Sequence, residues 1–303
     1  MIGALDYQTL DRLAAGKPSP VDVACPMCGP DQVSALNRAR PVLRIWYGEA
    51  GFLRYCCARC AASGWARPED QRFRFPPYDA DFLLRQAEAE AAEALKRIER
   101  VAKARALWSR TQPISGTPAE TYLRTARGYD GELPSTLRFL PPRSASQSPA
   151  MISAFGLPAE PEPGILEFLA PEAIEAVHLT LLRPDGTGKA GTHRDKLMVG
   201  ITGGKPVVLA PMSDALGLMV TEGIEDALSG HRATGLGAWA AGSAIGLPKL
   251  ASAVPEWVDT VTVVSDADDA GRRFSSELVS LLRRRGVHVE TVEIATARGS
   301  AAA

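Results

Sequence analysis

Apolar residues change their spacing along this chain, and each change predicts a different kind of element. In residues 42–47 and 51–55, β-rich runs flank a Gly48–Gly51 turn and predict a hairpin. After Pro76-Pro77, Asp79 or Asp81 can cap a helix reaching about residue 109, rich in Ala, Glu, Lys and Arg. Ala91, Leu95, Ile98 and Ala102 make a narrow apolar stripe on it, which reads as an amphipathic connecting helix rather than a coiled coil. Residues 111–165 are rich in Pro, Gly and Ser and predict a short helix at 118–127. From about 165 to 209 the pattern turns to strands, including 176–182, with a turn at 183–188. The remainder alternates: strand 216–221, helix 224–233, strand 237–241, helix near 247–253, strand 260–265, helix 270–285, strand 287–294. Such alternation implies a parallel sheet with helices on its faces.

At 303 residues, with 46% hydrophobic and 23% charged residues, the chain is long and apolar enough for about two packed domains. The net charge of −1 excludes a uniformly basic nucleic-acid coat, so such a role needs local patches. No apolar run is long enough for a transmembrane helix. The start of the chain carries Asp6 and Asp11 and no secretory pattern, so a cytoplasmic protein without membrane partners is expected.

All five cysteines lie in the first segment. Cys25 and Cys28 form one CxxC knuckle, Cys57 and Cys60 another, with the hairpin between them. Four thiolates can converge on a structural Zn²⁺ in a zinc ribbon and leave no open position. Cys56 would be the spare, and Gly29 would supply a positive φ after the first knuckle. Arg38, Arg40, Arg44, Arg54 and Arg59 crowd the same hairpin and suggest phosphate contacts. Trp46, Tyr47, Phe52 and Tyr55 are stacking candidates for single-stranded DNA, or hairpin core.

Glu222 sits where the 216–221 strand meets its helix, and Asp266 and Asp268 end the 260–265 strand. In a parallel sheet both places lie at the carboxyl rim, where ligands bind. Such carboxylates suit Mg²⁺ or Mn²⁺, and two ions could clamp the attacking and leaving oxygens of a phosphoryl transfer. The plainer reading is that Asp268 or Asp269 caps the following helix. Gly186-Thr187-Gly188-Lys189 lacks the flanks of a phosphate-binding loop and reads as a hairpin turn. His178 reads as a structural strand histidine.

The runs Thr221-Glu222-Gly223-Ile224-Glu225-Asp226-Ala227-Leu228 and Asp266-Ala267-Asp268-Asp269-Ala270-Gly271-Arg272 resemble the Glu-Gly and DxD motifs of the Toprim domain. Bacterial primases, type IA and II topoisomerases and several nucleases share that fold. With the four-cysteine ribbon, the chain resembles the zinc-ribbon and Toprim primases of phages, plasmids and integrated elements. The resemblance implies an α/β and α+β multidomain protein: a zinc-ribbon domain at 1–75, a linking helix at 76–110, the first part of a primase-like core at 111–212, the Toprim domain at 213–295, and a tail at 296–303. It implies primer synthesis on single-stranded DNA from nucleoside triphosphates. Glu222, Asp266 and Asp268 would hold the catalytic ions, and Lys196 would face the metal cleft. Arg183, Lys189 and Arg272 would bind nucleotide phosphates. The chain holds no Walker A pattern, so a replicative helicase would be a separate partner. The further acids that primases carry after the DxD strand are missing, with Asp269 or Glu293 as stand-ins. Alternatives are a Toprim nuclease using the same acids and a non-catalytic, zinc-bearing DNA-binding accessory protein.

Overall fold

The computed structural model describes residues 5–14, 16–32, 35–48, 51–68, 80–159, 166–167, 170–212 and 216–294. Asp79, the Asp81 side chain and the 296–303 tail, all invoked above, lie outside the described residues. The chain divides into two units, Met1–Lys96 and Arg97–Ala303.

In the first unit, α1 (Tyr7–Ala14) and β1 (Val21–Ala24) lead through the short α2 (Ala35–Arg38) to β2 (Pro41–Tyr47), β3 (Leu53–Cys57) and β4 (Ser63–Ala66). They make an antiparallel sheet in the order β1-β2-β3-β4, so the expected hairpin gains a strand on each side. Alternation sorts its faces. Leu43, Ile45, Leu53, Tyr55 and Cys57 point into the core with Leu10 of α1. Tyr55 is therefore core and not a stacking surface, and its hydroxyl accepts the Leu5 N–H.

Helix α3 (Ala80–Trp108) is the long helix the composition predicts, and it contains the boundary between the two units. The second unit then holds a region in which sequence reading found one short helix and the 176–182 strand but missed the strands before it. The helix is α4 (Pro118–Thr121), which continues as a π-helical turn over Tyr122–Ala126. Strands β5 (Gln112–Pro113), β6 (Leu137–Leu140), β7 (Ala150–Phe155), β8 (Ala176–Leu181) and β9 (Lys196–Gly200) form an antiparallel meander. Strand β7, Ala-Met-Ile-Ser-Ala-Phe, is buried at every position. A strand covered on both faces loses the alternation that would announce it. One face, with Ile152, Ala154, Val177 and Leu179, packs on Ala104, Leu107 and Trp108 of α3. The other, with Met151, Phe155 and Ala176, packs on the elements that follow.

Those elements are β10 (Val207–Ala210), β11 (Gly217–Thr221), α5 (Ile224–Thr234), β12 (Gly237–Ala240), a 3-10 segment (Ala244–Ser252), β13 (Thr260–Asp266), α6 (Asp269–Arg284) and β14 (His288–Ile294). The sheet order is β10-β12-β11-β13-β14. Strands β11 to β14 pair in parallel, as the alternation implied, and β10 adds one antiparallel edge. Helix α5 ends on Gly235 at φ 72°, whose N–H returns to the His231 carbonyl. Helix α6 buries Phe274, Leu278 and Leu282 at a spacing of four, one face of a helix. Among the described residues no helix is long and apolar enough to cross a membrane.

Candidate metal centre and acidic cleft

The two cysteine knuckles meet. The Cys25 and Cys60 sulfurs are 3.9 Å apart and those of Cys28 and Cys57 3.8 Å. All four ligand atoms lie within 4.8 Å of one another. Four sulfurs at ~2.3 Å from one zinc stand ~3.8 Å apart, so the set fits a tetrahedral ion. The Arg59 and Cys60 N–H groups point at the Cys57 sulfur from 3.4 and 3.5 Å. Burial disfavours the Cys57 thiolate, but these backbone donors outweigh it and draw its pKa down. Burial and the neighbouring thiols push the Cys28 thiol up, the repulsion expected of thiolates gathered without a cation. Cys56 is exposed and outside the cluster.

Gly29 is needed for a reason other than the one its position suggested. Its φ is not positive; the positive φ falls at Ala61, after the second knuckle. A Cβ on Gly29 would stand 2.5 Å from the Cys25 carbonyl oxygen, whose hydrogen bond to the Gly29 N–H closes the knuckle.

The five arginines of this unit are placed unequally. Arg44 makes a two-pronged pair with Asp22, both contacts at 2.7 Å. Arg59 donates to the Asn37 carbonyl. Arg38, Arg40 and Arg54 are exposed. Register places Trp46 opposite Arg54 and Arg54 opposite Trp65 on the outer face of β2–β4. The Arg54 guanidinium lies over the Trp46 ring at 5.6 Å, and Arg67 lies over Phe52 and Trp65. Trp65 and Arg67 extend this cationic, aromatic surface beyond the residues the sequence singled out.

In the second unit, neighbouring parallel strands β11 and β13 deliver the acids to one rim: Glu222 follows Thr221, and Asp266 ends β13. Burial, then the charges of Asp266 and Asp268, raise the Glu222 pKa. Burial, then Asp226 and Asp268, raise that of Asp266. Asp226 belongs to the same group, its pKa raised by burial and by Glu225. Asp268 is also the N-cap of α6, accepting the Gly271 N–H at 2.6 Å, so the plainer reading of this residue holds alongside its place at the rim. A Cβ on Gly271 would meet the Asp266 carbonyl oxygen at 2.7 Å, which explains the glycine in the motif. Among the described residues, no three carboxylates close to mutual ligand distance as the cysteines do. Like charges without a counter-ion stand apart. The hard oxygen donors and their mutual repulsion nonetheless fit a divalent cation.

Opposite the acids stands a cationic group clamped on Glu225, whose side chain is 10% exposed. Lys196 reaches Glu225 at 3.2 Å, Lys189 at 3.3 Å and Arg127 at 3.6 Å. The Tyr122 hydroxyl donates to the same carboxylate at 2.9 Å and accepts from Arg127 at 2.8 Å. Burial alone would raise the Glu225 pKa, but the two lysines outweigh it and hold the carboxyl well below the usual range. Lys196 also favours the ionised forms of Glu222, Asp226 and Asp266, so it faces the acidic rim. His178 is 2% exposed, and its Nδ1 has no hydrogen-bond partner among the described residues. It is structural but not satisfied, and burial, with Lys196 adding to it, lowers its pKa to about 4.

Other candidates lie apart from this group. Arg183 is exposed in the turn that Leu182 and Lys189 close, with Asp185 beside it. Arg272 pairs with Asp269 at 3.2 Å and Glu293 at 3.6 Å, which engages both stand-in acids. Glu225, Asp226, Tyr122 and Arg127 were missed as site residues. For the two acids a signal was present, since Glu222, Glu225 and Asp226 crowd one strand-to-helix junction; for Tyr122 and Arg127 there was none.

Comparison with known families agrees with this geometry. Residues 98–209 match a domain of unknown function (DUF7146), and residues 217–300 match the Toprim domain. No curated protein matches the chain. Among solved structures it is similar to the crystal structure of a DNA primase domain from Pseudomonas aeruginosa, with 13% identity and a TM-score of 0.34. That likeness covers 54% of this chain and 50% of the other, so the chain spans about half the length of that relative. The C-terminal part of the chain is a Toprim domain.

Proposed function

We propose that this protein synthesises short primers on single-stranded DNA by metal-dependent nucleotidyl transfer. The observation that carries the reading is the two-signed cleft, with Lys189, Lys196 and Arg127 against Glu222, Asp226, Asp266 and Asp268. Three cations share one buried carboxylate at Glu225, which leaves a positive surplus beside the acids. A triphosphate needs cations on its oxygens and divalent ions near the reacting phosphorus, and the cleft offers both. Glu222, Asp266 and Asp268 would hold Mg²⁺ or Mn²⁺, which supplies Lewis-acid stabilisation of the phosphoryl oxygens. Lys196, close to both halves, would orient the phosphates, with Lys189 beside it. Glu225 and Tyr122 hold these cations in place and touch no substrate. In the first unit Zn²⁺ on Cys25, Cys28, Cys57 and Cys60 would fix the β2–β3 hairpin, and Trp46, Arg54 and Trp65 would stack and pair with the template.

Incorporation of labelled ribonucleotides on single-stranded DNA with Mg²⁺ or Mn²⁺ tests the reading. Glu222→Gln should abolish product, and Lys196→Ala should lower it by about a hundredfold. Absence of product from the unaltered chain on varied templates would remove the proposal. Magnesium-dependent DNA cleavage without nucleotides would identify a nuclease instead. Metal analysis should find about one equivalent of zinc per chain, and much less would count against the four-cysteine site.

A further inference from the structure

Helix α6 and the edge strand β14 enclose a cavity of about 850 Å³ that the proposed activity does not use. Its lining includes none of Glu222, Asp266, Asp268, Lys189 and Lys196. Topology sets the two walls. Helix α6 runs back from the carboxyl rim while β14 runs towards it, so Arg272 and Glu293 share the rim end and Arg283 and Val289 the other. Each end is bridged. Arg272 meets Glu293 at 3.6 Å, and Arg283 donates to the Val289 carbonyl at 3.3 Å. The space between is therefore a bounded pocket and not a track that runs through. From Val289 to Glu293 it measures ~13 Å along the strand, at the usual rise per residue. Its volume falls in the range of small-ligand sites.

Between the bridges the walls carry hydroxyls and small apolar groups. Ser275, Ser276 and Ser280 come from α6, Thr291 comes from β14, and Val279 and Val292 lie beside them. Ser275 is 4% exposed, and its hydroxyl has no hydrogen-bond partner among the described residues. A buried donor of this kind costs free energy until a ligand pairs with it. At the end away from the rim, Arg283 and Arg284 are exposed, and Arg284 donates to the Ser280 hydroxyl at 3.0 Å. Three arginines against Glu293 leave the lining a surplus of two positive charges. That surplus matches the roughly −2 of a phosphate monoester near neutral pH. Basic residues in the last turn of a helix also offset its dipole. This plainer role accounts for Arg283 and Arg284, but not for the cavity or the Ser275 hydroxyl.

We propose that this pocket binds a free nucleoside phosphate, at a place separate from the acidic cleft. Arg283 and Arg284 take the phosphate, since their planar forks suit its oxygens. Ser275 and Thr291 hydrogen-bond the nucleoside, which rests on Val279. The Glu293 carboxylate at the rim end accepts from the sugar hydroxyls, as acids do in other nucleotide sites. The bridged ends select a ligand of this length over a continuous nucleic-acid strand, which would have to pass both bridges. Ser265 ties the pocket to the metal-bearing strand. It lines the wall and donates to the Asp266 carbonyl at 3.1 Å, so a bound nucleotide lies one residue from a proposed metal ligand.

The test is equilibrium dialysis of the full chain against labelled ADP and labelled GDP, without added divalent cation. At least one of them should bind at one equivalent per chain. Arg283→Glu with Arg284→Glu should weaken that binding at least tenfold. Ser280→Trp, which fills the pocket without changing its charge, should do the same, and both variants should keep their helical signal and zinc content. Lys196→Ala, in the acidic cleft, should leave this binding as it is. Inorganic phosphate should compete at least tenfold more weakly than the nucleotide, and equal competition would overturn the nucleoside assignment. No binding of either nucleotide at millimolar concentration would overturn the proposal. So would binding that Lys196→Ala abolishes and the pocket variants leave intact. A dT oligonucleotide that loses affinity in the pocket variants, where neither nucleotide binds, would overturn it in favour of a strand. Every arm reads binding without primer synthesis, so this inference and the functional reading can fail separately.

Discussion

Glu222 occupies an uncomfortable position. Burial, and then the charges of Asp266 and Asp268, disfavour its ionised form. A group whose pKa is raised by folding destabilises the fold while it is charged, and protonation or a nearby cation relieves the cost. Glu222→Gln should therefore melt at higher temperature than the unaltered protein in chelator, and should gain less from added Mg²⁺. Thermal melts with and without the ion check both expectations. His178 acts with the opposite sign. Its neutral form is kept down to about pH 4, whereas the unfolded chain takes up a proton near its ordinary value of 6.5. Its contribution is complete above pH 6.5 and is lost as pH falls towards 4, a swing of roughly 3 kcal/mol. Denaturant titrations across that range should show the decline, and His178→Gln should flatten it. These residues differed in how visible they were. Glu222, Asp266 and Asp268 stood out because strand ends and helix starts frame them. Tyr122 and Arg127 did not, because their partnership with Glu225 spans about a hundred residues and no local pattern encodes it.

At the scale of elements, legibility followed exposure. The parallel sheet was readable because its strands alternate with helices that carry clear caps and apolar faces. Helix α3 was readable from composition. Of the meander β5–β9, the strand at β8 was readable, whereas β5 to β7 were missed, since β7 is buried on both sides and β5 and β6 are short and surrounded by Pro and Ser. Its importance is mechanical. Strand β9 carries Lys196, and Phe155 at the end of β7 packs against the elements of the Toprim side. A Cβ at Gly242, in the loop after β12, would meet the Phe155 ring at 2.8 Å, so the two elements already touch closely. Phe155→Ala should cost about 3–5 kcal/mol in denaturant unfolding. It should also lower the turnover of primer synthesis more than it lowers zinc content, because the loosened strand carries Lys196 and not the cysteines.

Across the whole molecule, sequence reading places a border at 212/213, between a primase-like part and the Toprim part. Spatial grouping keeps residues 97–303 as one unit. The reason is the central sheet of that unit. Ile224, Ala227 and Leu228 of α5 share an apolar cluster with Met151, Phe155 and Ala176 of the meander. The border therefore divides motifs without dividing a core. A fragment beginning near residue 213 would present α5 to water and strip Glu225 of Lys189, Lys196 and Arg127. Such a fragment should aggregate or bind hydrophobic dyes, whereas one beginning near residue 97 should unfold cooperatively, and calorimetry with dye binding distinguishes them. The two halves of the cleft therefore depend on each other for their shared apolar cluster and for the ion pairs on Glu225. Transplanting this Toprim segment into another scaffold would demand the meander as its cradle.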